Sequence, residues 1–263
     1  IRTISIKNFK THSGAIYHKI NLYYQQFGRQ IGKAPIVLVN HSLTGDANLT
    51  GDKGWWTEII GKGKIIDTDK YTILGFNIPG NGVKGQIFNK PEDFHTGDIA
   101  SLFLLGLSNL KIKKLYALIG GSIGGGIAWE MAAISKDITK FLVPVAADWK
   151  ANDWIIANTF LQKRIIENSK QPLQDARIHA MLTYRTPQSF ENRFGRTLNK
   201  EQGIFNIESW LIYHGEKLQK RFQLKAYIMM NHLLSSINIE REGEIALNII
   251  KNIKSEIHMV AID

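Results

Sequence analysis

Apolar residues in the first 150 positions come in short continuous runs of strand length: 35–40 (PIVLVN), 71–77 (YTILGFN), 115–119 (LYALI) and 141–147 (FLVPVAA). Such runs are typical of strands that are buried on both faces of a sheet. Helical patterns at 98–107 and 127–134 lie between the later runs, which predicts a mostly parallel sheet with helical crossovers. Before them, β-prone stretches at 3–9 and 20–27 predict an antiparallel hairpin.

From Trp149 onward the pattern changes to helical periodicity. We predict helices over 153–166, 173–181, 187–194, 207–214 and 217–234, with no strand between them. An all-helical block inside an α/β alternation predicts an inserted cap. The expected organisation is a core at 1–149, a cap at 150–240 and a return to the core at 241–263. The return contains a helix at 246–253 and a last buried strand at 257–262.

Composition narrows the possible chemistry. The chain has 263 residues, 44% of them hydrophobic, and no cysteine, which excludes thiol nucleophiles, disulfides and Cys-based metal sites. The absence of cysteine fits a reducing compartment, and we expect a cytoplasmic protein. No signal-peptide pattern precedes the first strand, and no apolar run reaches the ~18 residues of a spanning helix, so we expect no membrane partner.

The formal net charge is +10. The lysines are scattered, and no alternation of aromatic and basic residues marks a platform for stacking bases, so we expect no nucleic-acid partner. A basic solvated surface is the simplest interpretation, and attraction of a polyphosphate-bearing substrate is another.

The sequence Gly120-Gly121-Ser122-Ile123-Gly124 lies between a predicted strand and a predicted helix. A G-x-S-x-G sequence in this setting predicts a nucleophile elbow, a strained turn that exposes the serine hydroxyl. Ser122 is therefore the candidate nucleophile, and the Ile123 amide is a candidate donor to an oxyanion. A tight turn without catalytic function is the alternative.

A second candidate element is the loop that follows the strand at 35–40. In elbow proteins this loop supplies the other oxyanion amide, for which Leu43 is the candidate. We place His41 and Thr44 in the pocket wall. His41 is not the predicted base, because the base in such folds comes late in the chain.

Longer motifs give a specific resemblance. The motifs are NHSLTGD at 40–46, GWWTEIIGKGKIIDTDKYTILGFN at 54–77, GGSIGG at 120–125, YRT…F at 184–190 with RFGR at 193–196, and the stretch at 210–234. Together they resemble the homoserine O-acetyltransferase family. The resemblance implies an α/β-hydrolase fold and transfer of an acetyl group from acetyl-CoA to the side-chain hydroxyl of L-homoserine, in methionine biosynthesis, through an acyl-enzyme on Ser122. It implies that Leu43 and Ile123 supply the oxyanion amides and that Arg177 and Tyr184 bind the amino acid. It also implies a homodimer, with no permanently bound cofactor and no metal.

The sequence departs from the family pattern at three places. The loop at 78–85 lacks the family's usual glycine-rich sequence, and the cap between Arg164 and Arg177 is shortened. Both places lie where the resemblance puts the acyl donor and acceptor, so the choice between an acetyl and a succinyl donor, and between homoserine and serine as acceptor, stays open. None of the eight histidines occupies the late position of a triad base. Asp263 matches the first Asp of the family's IDSD stretch, so we expect the triad acid and histidine outside the printed chain, as in a truncated protein. The alternatives are a serine esterase of the same fold and a non-catalytic binding protein.

Overall fold

The computed structural model describes residues 1–241 and 243–262 and has a seven-stranded sheet at its centre, in the order β1-β2-β6-β3-β7-β8-β11. The strands of this sheet are β1 (Arg2–Lys10), β2 (Ile16–Gly28), β3 (Ile36–Asn40), β6 (Thr72–Phe76), β7 (Leu115–Gly121), β8 (Thr139–Val145) and β11 (Glu256–Ile257). Two minor pairs are formed by β4 (Ile60–Gly61) with β5 (Ile66–Asp67), and by β9 (Leu198–Asn199) with β10 (Ile204–Phe205).

Strand directions confirm the sequence prediction of a hairpin followed by a parallel sheet. β1 and β2 are antiparallel, with Ile4 opposite Leu22, and β2 is also antiparallel to β6. The remaining strands of this sheet, in the order β6, β3, β7, β8 and β11, are parallel to one another. Because parallel strands need crossovers, helices cover the faces of this half of the sheet.

The helices are α1 (Thr96–Asn109), α2 (Ile123–Ile134), α3 (Asp153–Asn168), α4 (Pro172–Thr183), α5 (Pro187–Phe194), α6 (Asn206–Gln219), α7 (Leu224–Ser235) and α8 (Ala246–Lys251). Of the helices in the described part of the chain, none is both long enough and apolar enough to cross a bilayer.

A row of leucines across four neighbouring strands forms the centre of the core. Leu74, Leu38, Leu118 and Leu142 are paired from strand to strand, and all four are fully buried. Burying one such side chain contributes about 1.5–3 kcal/mol. The runs of apolar residues in the sequence therefore become the rigid layer from which the loops at the carboxyl edge extend.

Helices α3 to α7 lie between β8 and α8 in the chain, as the cap prediction requires. α4 contacts both α3 and α6, around a small core of Leu173, Ala176, Leu218 and Tyr227. α7 also contributes Met229 and Met230 to the main core. α7 therefore connects the cap helices to the sheet. The boundary between the cap and the returning core segment, placed at residue 240 from the sequence, stays a prediction.

Three local predictions were wrong. The helical block predicted to contain no strand holds the short antiparallel pair β9–β10 between α5 and α6. The helix predicted over 217–234 is interrupted, since α6 ends at Gln219 and α7 begins at Leu224. The stretch at 257–262 is not a buried strand: beyond β11 it makes a single bridge through Val260, which is 50% exposed. The physical reason is its place at the sheet edge, where it pairs with β8 on one side only. Asp263, matched to the family's first Asp, lies outside the described residues.

A buried ion pair joins α2 to the segment that returns from the cap. Glu130 is fully buried and accepts a hydrogen bond from Arg241 at 2.6 Å and one from the Thr96 hydroxyl at 2.9 Å. Burial raises the pKa of Glu130, and the Arg241 guanidinium opposes that shift. Removing one partner of such a pair costs about 3–5 kcal/mol, so this contact fixes the helix that begins at the elbow.

Candidate active site

Ser122 occupies a strained turn between β7 and α2. Its backbone has φ 54° and ψ −125°, a left-handed conformation that is costly for a residue with a side chain, by about 1–3 kcal/mol. Three hydrogen bonds hold it there. The Ser122 amide donates to Val145 O at 2.9 Å, and its carbonyl accepts from the amides of Gly125 at 2.8 Å and Gly126 at 3.1 Å.

Close approach of backbone to backbone explains two of the glycines in the motif. A Cβ on Gly120 would lie 2.1 Å from Gly124 O, and a Cβ on Gly124 would lie 2.4 Å from Asn40 O. Gly121 has nothing within 4 Å of its Cβ position. The first and last positions of G-x-S-x-G therefore have to be glycine, whereas Gly121 does not.

The same close approach brings the two candidate oxyanion amides to one edge of the sheet. Asn40, the last residue of β3, is paired with Gly120 of β7, so the loop carrying Leu43 emerges beside the elbow. Among the described residues, neither the Leu43 amide nor the Ile123 amide has a hydrogen-bond acceptor. Ile123 is also the first residue of α2, where the helix dipole favours negative charge. Two free donors next to a serine can stabilise an oxyanion.

A cavity of about 660 Å³ opens above the elbow and is roofed by the cap helices. Ser122, Leu43 and Tyr184, all predicted from the sequence, line it. Its wall also contains a polar pair, in which the Tyr227 hydroxyl donates to Gln162 Oε1 at 2.5 Å. The serine is therefore enclosed by both the sheet and the cap.

The structure corrects the placement of His41 in the pocket wall. His41 is fully buried behind that wall, its Nδ1 lies 2.8 Å from Ser42 O, and its Nε2 accepts from the Ile78 amide at 3.0 Å. Burial lowers its pKa. Both ring nitrogens are engaged with the backbone, so His41 fixes the loop and is not available as a base.

Thr44, the other predicted wall residue, also lies off the cavity lining. Its carbonyl oxygen accepts a hydrogen bond from Arg221 Nη1 at 2.9 Å, and its hydroxyl lies 3.4 Å from Arg221 Nη2. Because Thr44 follows Leu43 directly, Arg221 ties the cap to the loop that carries the oxyanion amide.

Arg177 and Tyr184 are brought together in the structure. Arg177 Nη1 lies 3.5 Å from the Tyr184 hydroxyl, and its guanidinium carbon is 5.5 Å from the centre of the Tyr184 ring. Tyr184 lines the cavity, whereas Arg177 is not one of its lining residues. Their roles in binding an amino acid stay a prediction.

The described residues do not provide a triad to Ser122. No histidine among them lines the cavity, and the Ser122 hydroxyl has no hydrogen-bond partner within them. His258 lies at the sheet edge, where its Nε2 is 2.8 Å from Glu256. The described part of the chain also contains no group of three histidine or carboxylate side chains that could hold a metal ion.

Comparison with known proteins agrees with this geometry. The family profile described as "alpha/beta hydrolase fold" matches residues 35–220. The homoserine O-acetyltransferase of Chloroherpeton thalassium is 32% identical to this chain, over 97% of the chain and 75% of that protein. The chain belongs to the homoserine O-acetyltransferase family, and it is an enzyme of the acyltransferase type.

Solved structures place this family member among others of the same fold. The homoserine O-acetyltransferase of Staphylococcus aureus is 26% identical and superposes with a TM-score of 0.85, covering 98% of this chain and 78% of that one. An acetylester hydrolase from Corynebacterium glutamicum, 17% identical, superposes with a TM-score of 0.79 over 98% of this chain and 79% of that one. At that identity the second comparison shows the fold alone.

Sequence reasoning missed two features of the site. Arg221 belongs to the family motif at 210–234 and lies inside the helix predicted over 217–234, and nothing in the sequence indicates that it reaches the loop of Leu43. Ala146, which lines the cavity in a left-handed conformation with φ 49°, follows β8 and had no sequence signal. Strain of this kind is concentrated at functional sites.

Proposed function

We propose that this protein transfers an acetyl group from acetyl-CoA to the side-chain hydroxyl of L-homoserine through an acyl-enzyme on Ser122, as a step in methionine biosynthesis. The observation that carries the proposal is the strained Ser122, next to two amides without acceptors, in a cavity covered by the cap. Family membership supports the choice of donor and acceptor.

In the first half-reaction the Ser122 oxygen attacks the thioester carbonyl, and its proton passes to a base. Negative charge develops on the carbonyl oxygen, where the Leu43 and Ile123 amides stabilise it; removing one such donor from an enzyme typically slows it ~10²–10³-fold. The carbon–sulfur bond then breaks, and CoA leaves as the protonated thiol. In the second half-reaction the homoserine hydroxyl attacks the ester, gives up its proton, and releases Ser122.

The acceptor site is proposed around Arg177 and Tyr184. A guanidinium fork matches both oxygens of a carboxylate, and Tyr184 reaches the cavity that contains Ser122. The apolar cap residues favour transfer over hydrolysis by limiting water at the ester.

The proposal assigns the proton-accepting base to a residue outside the described part of the chain. The described histidines are unsuitable, since none lines the cavity and His41 has both nitrogens engaged. We further propose a cytoplasmic homodimer, and no bound cofactor beyond acetyl-CoA as co-substrate.

An assay of thiol release tests the proposed function. The full-length gene product should release CoA from acetyl-CoA at a rate that rises with homoserine, and Ser122→Ala should remove this activity. The same rate of release without homoserine would identify the protein as an esterase-like hydrolase and contradict the proposal.

A further inference from the structure

A group of cations lies around Trp210 and Tyr213 of α6, formed by Arg185, Arg193 and Lys217 and called here the cationic cluster. The Lys217 ammonium is 5.7 Å from the centre of the Tyr213 ring. The guanidinium carbons of Arg185 and Arg193 lie 5.5 Å and 5.2 Å from the centre of the Trp210 ring. The ring of His214 is 4.4 Å from that of Trp210. Stacking on an aromatic ring holds a guanidinium in place and leaves its N–H edges free to donate.

These cations have no carboxylate partner. Within the described residues, none of Arg185, Arg193 and Lys217 forms an ion pair within 4.0 Å, whereas Arg164 on α3 is paired with Glu167 at 3.0 Å. Burial lowers the pKa of His214, and Arg177, Lys217, Arg193 and Arg185 lower it further. The positive charges therefore add up at the surface around His214, and their combined potential would attract an anionic ligand to it.

The cluster is continuous with the catalytic cavity. Arg185 lines the cavity together with Tyr184 and Ser122, while Arg193 and Lys217 are exposed on α5 and α6. A ligand that occupies the cavity and extends outward past Arg185 would meet the remaining cations.

We propose that the cationic cluster binds the phosphate groups of the acyl donor, which places the thioester at Ser122. This rests on the proposed function, in which the donor is acetyl-CoA. Coenzyme A has its phosphates at one end and its thiol at the other, joined by a long flexible arm. Arginine forks bind phosphate oxygens in pairs, so two oriented guanidiniums match that end of the molecule.

Calorimetric titration with CoA and with pantetheine, which lacks the phosphates and the adenosine, tests the proposal without catalysis. The protein should bind CoA more tightly than pantetheine, with an affinity that falls as salt is raised. Arg185→Gln and Arg193→Gln should each weaken CoA binding by about tenfold or more and leave pantetheine binding unchanged. Both side chains are exposed, so the substitutions remove no core contact. Arg164→Gln is the matched control, because this exposed arginine already has a carboxylate partner.

Equal binding of CoA and pantetheine, or CoA binding that neither substitution weakens, would overturn the inference. Failure of the proposed function looks different. Phosphate-dependent binding of CoA without any acyl transfer would leave the cluster assignment in place and refute the transfer reaction. Acyl transfer with an acetyl-CoA KM that neither substitution changes would support the transfer reaction and refute the cluster assignment.

Discussion

Gly124→Ala is the substitution whose effect follows most directly from the geometry of the elbow. The added Cβ would lie 2.4 Å from Asn40 O and 2.6 Å from His41 O. Ordinary contacts begin at about 3.5 Å, so the elbow and the end of β3 would have to separate by roughly 1 Å. Both oxygens belong to the backbone, and no side-chain rotation can relieve the contact. We therefore expect Gly124→Ala to lower the free energy of unfolding by about 3 kcal/mol, the upper end of what overpacking usually costs.

Thermal and urea denaturation measure this cost. For a chain of this size about 3 kcal/mol corresponds to a melting temperature lower by roughly 6–12 °C. Gly121→Ala is the matched control, because nothing lies within 4 Å of its Cβ position and its φ is not left-handed. It should change stability by less than about 0.5 kcal/mol. Equal stability of the two variants would refute the steric account of the G-x-S-x-G turn.

Three further predictions concern the cap, the oxyanion loop and pH. Arg177→Ala should raise the homoserine KM by the equivalent of about 1.5–3 kcal/mol without slowing acyl-enzyme formation, and an equal loss in both half-reactions would remove its assignment to the acceptor. Arg221→Gln should lower kcat about tenfold or more at unchanged homoserine KM, because the Leu43 amide loses its anchor through Thr44; an unchanged kcat would contradict this. Burial lowers the pKa of His95 to about 4, and its Nδ1 accepts a hydrogen bond from the Gly97 amide at the start of α1. The contribution of this group to the free energy of unfolding is therefore fully present above about pH 6.5 and is lost as the pH falls toward 4. His95→Asn keeps a capping group and should flatten that part of the pH–stability curve, and an unchanged curve would show that other groups cause it.

Much of the core was predictable because its signals are local. Each apolar run that predicts a strand between 35 and 147 forms one, since a strand buried on both faces needs continuous apolar sequence. The elbow was also predictable, because Gly120 and Gly124 are required by sterics at fixed spacing from Ser122.

The errors occur where tertiary contacts decide the local structure. The apolar pattern continues from α6 into α7, yet the chain leaves the helix where Arg221 bonds to Thr44, a residue 177 positions earlier. The stretch at 257–262 has the composition of a buried strand but lies at the sheet edge. His41 illustrates a third limit, because its burial and its two backbone contacts depend on residues 78 and 42, and composition gives no information about them.

The most direct test of the central claim is mass spectrometry of the full-length gene product after incubation with acetyl-CoA and no acceptor. The account predicts an added acetyl group on the peptide that contains Ser122, its loss on addition of homoserine, and no such adduct in Ser122→Ala. An acetyl adduct that persists in Ser122→Ala, or homoserine acetylation without any adduct on Ser122, would contradict it.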